Sequence, residues 1–235
     1  MKAHDVVAQI AAQIRVIVLG GIAVVLHGLH RSTKDVDLWL DPLANEQLWA
    51  DTLRPLLESG GLIAARVADE TGHFVPIAFG DIASVVARDR FVRILGSDRP
   101  IDVFRIPNHL EASEFDQIWQ RSKPLEDGTR LIDEIDLIVT KMDTGRPHDE
   151  ADMRFLQLKV ESAYRQRIRS CSPSEAAKLF ERFSTPDIAA FAATEAEDRA
   201  VRALGLQILD DLCAAGDHYA MQLAEGIRRG RISGP

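Results

Sequence analysis

Two glycines and two aspartates carry the most specific chemistry in this chain. Gly20-Gly21 ends the run Arg15–Leu19, and after a spacer of thirteen residues comes Asp35-Val36-Asp37. The β-branched run predicts a strand, and the apolar segment Ile22–Leu29 predicts a buried helix closing near Gly28. A strand–Gly-Gly–helix junction lets backbone N–H groups and a helix N-terminus approach a phosphate, because no Cβ stands in the way. On a strand over Val36–Leu40 the side-chain period of two turns Asp35 and Asp37 to one face, with Val36, Leu38 and Leu40 packed behind. Two carboxylates held side by side repel unless a cation lies between them. Hard oxygen donors on a rigid element suit Mg²⁺, which in turn holds nucleotide phosphates.

The elements that position these groups read as strands and helices first and helices afterwards. A helix is predicted over Ala3–Ile14, with Val6, Val7, Ile10 and Ile14 on one stripe, and another over Leu43–Glu58, stopping at Gly60-Gly61. Strands are predicted around Leu62–Val67, Phe74–Phe79, Phe91–Leu95 and Ile101–Ile106, punctuated by Gly72, Gly80, Gly96 and Pro100. From Glu111 the pattern turns helical, most clearly over Ile132–Met142 and Glu150–Arg169. Ser172-Pro173 and Thr185-Pro186 each place a capping hydroxyl before a proline at the first helical position. The last sixty or so residues read as Ala-rich helices with breaks near Gly205 and Gly216. The expected class is α+β: a mixed sheet with flanking helices over residues 1–170 and a helical C-terminal region over 171–235.

Composition narrows the setting. The chain has 235 residues, 46% hydrophobic and 27% charged, enough to bury a core and too apolar for disorder. Lys and Arg number 28 against 36 Asp and Glu, a formal net charge of −8, which argues against a surface coated for nonspecific DNA binding. Cys171 and Cys213 form neither CxxC nor a zinc spacing and suggest a reducing compartment. The apolar stretch Val16–Leu26 is far short of the roughly 20 residues that span a bilayer. Asp5 and Arg15 before it, and the absence of a small-residue cleavage site after it, argue against a signal peptide. A cytoplasmic protein without a membrane partner is expected.

Gly20-Gly21, the spacer and Asp35-x-Asp37 resemble the DNA polymerase β-type nucleotidyltransferase superfamily. Together with His27-Gly28, Arg31 and Thr33 they look more narrowly like the AbiEii-type branch, bacterial nucleotidyltransferase-like proteins that include toxins of toxin–antitoxin pairs. Gly21 stands where the superfamily also uses Ser, so phosphate contact there falls to main-chain N–H groups. The superfamily's third carboxylate is matched by Asp102 within Arg99–Phe104, better than by Asp81 or Asp98, which sit beside turns. Lys141, Arg146, Asp149 and Asp152 resemble the branch's downstream Lys-x4-Arg-x2-Asp-x2-Asp element.

The resemblance implies that Asp35, Asp37 and Asp102 ligate two Mg²⁺ ions, with Mn²⁺ as a substitute, and that Asp102 helps deprotonate the attacking hydroxyl. Gly20, Gly21, Arg31, Thr33, Lys141 and Arg146 would hold the NTP, and Asp149 would serve structurally. The implied activity moves an NMP from an NTP to a hydroxyl of an RNA such as tRNA, a protein or a small molecule, releasing pyrophosphate. A toxin role would bring a cognate antitoxin as partner. The alternative is a noncatalytic nucleotide- or partner-binding protein on the same fold.

Three other readings are weaker. His27 and His30 at i, i+3 invite zinc, but no third ligand lies near them in sequence. The basic stretch Glu150–Ser170 reads first as a solvated helix face and second as a patch for an RNA backbone. A Rossmann site needs G-x-G-x-x-G, and Gly20-Gly21-Ile22-Ala23-Val24-Val25 lacks its later glycines.

Overall fold

The computed structural model describes residues 1–59, 61–67, 73–89 and 91–230. The breaks expected at Gly60 and Gly72 lie outside them. The chain divides into two compact units, Met1–Leu156 and Gln157–Pro235. Among the described residues no helix is long and apolar enough to cross a membrane.

The first unit is a mixed α/β structure. Its strands are β1 (Val16–Leu19), β2 (Val36–Leu40), β3 (Ile63–Val67), β4 (Phe74–Pro76), β5 (Phe91–Leu95), β6 (Ile101–Phe104), β7 (Lys123–Pro124) and β8 (Arg130–Leu131). They form one sheet in the order β4-β3-β5-β6-β2-β1-β8-β7. The pairs β2–β6 and β1–β8 are parallel and the others antiparallel. The helices are α1 (Ala3–Ala11), α2 (Gly20–Leu26), α3 (Glu46–Ser59), α4 (Ile82–Asp89), α5 (Phe115–Arg121) and α6 (Glu134–Lys141), followed by the start of α7 (Pro147–Ile168).

Strand periodicity decides which face is core. Val92 and Ile94 of β5 are buried, and α4, itself buried along Ile82, Val85 and Val86, packs on β3 and β5. Phe91 and Arg93 point from the opposite face and stay half-exposed. β1 is buried along its whole length. Trp39 of β2 is fully buried, meets Phe115 edge-on at 4.9 Å, and donates its indole N–H to the Arg105 carbonyl at 3.0 Å.

The structure corrects four expectations. The region after Glu111 is not wholly helical: β7 and β8 form a two-residue ladder, and β8 adds in parallel to β1. Two residues are too few for any periodicity, and the pairing comes from the otherwise open edge of β1. The strand expected over Phe74–Phe79 stops at Pro76, and a 3₁₀ turn at Phe79–Asp81 leads into α4. The second helix begins at Gly20 itself and ends at Leu26. Gly205 does not break a helix; it lies inside α10 (Arg199–Ala214).

Residue 170, where the sequence suggests a division, lies in the second unit, and α7 spans the Leu156–Gln157 boundary. Tyr164 of α7 meets Phe183, and Glu161 accepts a hydrogen bond from Thr185, both within the second unit. That unit also contains α8 (Pro173–Arg182), α9 (Pro186–Glu195), α10 and α11 (His218–Arg228). Ser172 caps α8 in a reciprocal box with Glu175, and Thr185 caps α9 by accepting from the Ile188 N–H. A Cβ on Gly205 would sit 2.6 Å from the Ala193 nitrogen and 2.7 Å from the Ala189 carbonyl oxygen, so glycine there sets how closely α10 approaches α9.

Candidate functional site

The Gly-Gly turn is built around Asp37. Gly20 has φ +59, the left-handed region, and a Cβ there would lie 1.7 Å from Asp37 Oδ2. The Gly21 N–H donates to the Asp37 carboxylate. A Cβ on Gly21 would fall 2.7 Å from Thr33 Oγ1 and 2.9 Å from an Arg31 guanidinium nitrogen. The glycines therefore make room for the side chains that follow them, and one of their N–H groups is already engaged by a carboxylate.

Strand register aligns the remaining charges. Asp37 of β2 stands opposite Asp102 of β6, and Asp102 stands opposite Arg93 of β5. Arg93 grips Asp102 with two parallel hydrogen bonds of 2.5 Å, lies 3.9 Å from Asp35, and stacks over the Phe74 ring at 4.1 Å. Asp35 precedes β2 in a bend, where its carbonyl accepts from the Thr33 hydroxyl. Burial, together with the charges of Asp35 and Asp102, pushes the Asp37 carboxyl up to about 7; Lys141 and the Gly21 N–H only partly offset this. Burial also raises the Asp102 carboxyl against the pull of Arg93, and the Arg93 guanidinium is raised in turn by its bonds to Asp102.

A second cluster lies beside the first. Asp152 is fully buried and accepts from Arg31 at 2.8 and 2.6 Å, while Lys141 Nζ lies 2.9 Å from it. Lys141, buried too, donates to Asp149 at 2.7 Å, and the Thr144 hydroxyl donates to the other Asp149 oxygen at 2.9 Å. Burial opposes ionisation of Asp149, but Lys141 and Thr144 outweigh it and hold the carboxyl below its usual range. The structural role expected for Asp149 thus has a definite form, an anchor for Lys141. Arg146 and Lys34 are exposed, and their side chains make no ion pair among the described residues.

All nine residues singled out from the sequence line one cleft of about 780 Å³: the three aspartates, the two glycines, Arg31 with Thr33, and Lys141 with Arg146. Sequence reasoning missed Arg93. Its signal was a lone arginine in the apolar strand Phe91-Val92-Arg93-Ile94-Leu95. His27, by contrast, is engaged structurally, with Nε2 2.8 Å from the Ile132 carbonyl and Nδ1 3.1 Å from Glu134.

The donor set can be tested against a divalent cation. Among the described residues no three carboxylate, imidazole or thiol groups are placed to hold an ion by themselves. Asp35 and Asp37 share the cleft, and the Asp35 charge raises the cost of ionising Asp37. Mg²⁺ is commonly held by one or two carboxylates, with phosphate oxygens and water completing its shell. These two residues fit that pattern. No model of a known protein family matches the chain, and no curated protein matches it either.

Proposed function

We propose that the Met1–Leu156 unit is a metal-dependent nucleotidyltransferase that moves an NMP from an NTP to an acceptor hydroxyl. The observation that carries this reading is the alignment of Asp37 and Asp102 on adjacent parallel strands, with Gly20-Gly21 packed onto Asp37 in the same cleft. Asp35 and Asp37 would hold Mg²⁺, or Mn²⁺ in its place; bound there, the ion neutralises phosphate charge and orients the nucleotide for attack. Asp102, one strand further along the sheet, is placed to take the acceptor's proton. Arg146 and Lys34 are the cations at hand for the triphosphate, since Arg31 and Lys141 already face Asp152 and Asp149.

The acceptor belongs to the same proposal: an RNA such as tRNA, a protein or a small molecule, with a cytoplasmic toxin restrained by a cognate antitoxin as the corresponding biology. The test is incubation of the full chain and cell lysate with each α-labelled NTP and Mg²⁺, then nuclease or protease digestion of the labelled product. Label transfer that disappears in Asp35→Asn and Asp37→Asn supports the reading; full transfer in either variant overturns it. A second reading, nucleotide binding without transfer, is favoured by one observation, the hold of Arg93 on Asp102. Labelled NTP retained by the protein with no labelled product separates the two.

A further inference from the structure

We propose that Arg93 is a built-in cation occupying the second cation position of the carboxylate cluster, so that the cleft takes one divalent ion rather than two. The inference rests on the metal-dependent reading above and concerns which groups complete that site.

Charge balance is the first argument. With all three ionised, Asp35, Asp37 and Asp102 bring three negative charges to neighbouring positions, and one guanidinium leaves two, the charge of a single divalent ion. A second ion beside Arg93 would make the cluster net positive before any phosphate arrived.

Geometry is the second. Arg93 sits directly across the β5–β6 ladder from Asp102 and uses both ends of its planar fork on both carboxylate oxygens. The guanidinium is held on three sides, by Asp102, by Asp35 at 3.9 Å and by the Phe74 ring. Only 22% of its side chain is exposed, against 38% for Asp35. A side chain fixed this way is a permanent part of the site and not a passing surface contact.

The division of labour follows. Asp35 and Asp37 carry the exchangeable cation. Arg93 is a positioning residue that fixes both oxygens of Asp102 where that carboxylate lines the cleft.

Titration of the full chain with Mn²⁺ alone, followed by loss of the free-ion electron paramagnetic resonance signal, counts the ions bound. Wild type is expected to bind one Mn²⁺ per chain and Arg93→Ala two, the second lost again in Arg93→Ala/Asp102→Asn. Arg93→Lys, which keeps the charge, is expected to bind one. In the wild-type background Asp102→Asn should change Mn²⁺ affinity by less than about threefold. Two ions in wild type overturn the proposal and leave the nucleotidyltransferase reading standing, as does a single ion in a folded Arg93→Ala protein. No bound ion in wild type overturns both. One ion in wild type without label transfer from any NTP supports the role of Arg93 and removes the catalytic reading. If Arg93→Ala does not fold, Arg93→Gln takes its place, and the wild-type count remains decisive.

Discussion

A Cβ on Gly20 would lie 1.7 Å from Oδ2 of Asp37, so any side chain at position 20 would have to displace the carboxylate on β2. The two residues are neighbours in the sheet register, where Leu19 pairs with Asp37. Gly20→Ala is expected to cost about 3 kcal/mol, of which roughly 1–2 comes from the left-handed backbone and the rest from displacing Asp37. The cost should fall by about 1 kcal/mol or more in an Asp37→Ala background, because the two closest contacts disappear. Urea denaturation of the four proteins measures that coupling, and full additivity would show that position 20 acts through the backbone alone.

Asp37 makes stability pH-dependent in protein free of divalent ions. Its carboxyl titrates near 7 when folded against 3.8 in the unfolded chain. The folded state therefore binds the extra proton between those values, and stability falls as pH rises through that window. The contribution is complete below about pH 4 and lost above about pH 7. Melting temperatures at pH 5 to 8 in a chelator should decline for wild type and stay flatter for Asp37→Asn. Mg²⁺ should restore more stability at pH 8 than at pH 5.

Asp152 and Arg146 separate structural from nucleotide-facing charge. Asp152→Ala leaves Lys141 and Arg31 without a shared buried partner and should cost about 3 kcal/mol. Arg146→Ala removes an exposed cation at the cleft and should leave the melting temperature within about 1 °C, consistent with the small effect of most surface substitutions. Its consequence is expected in NTP affinity, weakened roughly tenfold, the scale of one charge-assisted contact to phosphate. A stable Asp152→Ala protein, or a destabilised Arg146→Ala protein, contradicts this division.

In the second unit, Gly205→Ala pits helix propensity against packing. Alanine gains about 1 kcal/mol in a helix interior. The new methyl would meet the Ala193 nitrogen and the Ala189 carbonyl oxygen, both backbone atoms that cannot rotate away. Packing should win, with a net loss of about 1–2 kcal/mol. A rise in thermal stability would mean that α9 and α10 separate readily.

What the chain reveals without a fold is what neighbours in sequence decide. Gly20-Gly21 ends β1 and opens α2 because glycine takes the left-handed backbone of position 20 at least cost, and the break is where the pattern placed it. The alternation through Val36–Leu40 locates β2, and Ser172 and Thr185 start their helices because each hydroxyl reaches an N–H three residues on. Their partners lie within a turn or two, so spacing alone identifies them. Arg93 and Asp102 meet only after β5 and β6 pair, and Arg31 finds Asp152 across 121 residues of chain. β8 exists only because β1 has an edge to accept it. Periodicity says which way a side chain points, but not which strand lies opposite it. Tertiary structure therefore decided that Lys141 is anchored by two aspartates while the Arg146 side chain makes no ion pair among the described residues, and that an arginine stands beside the third carboxylate.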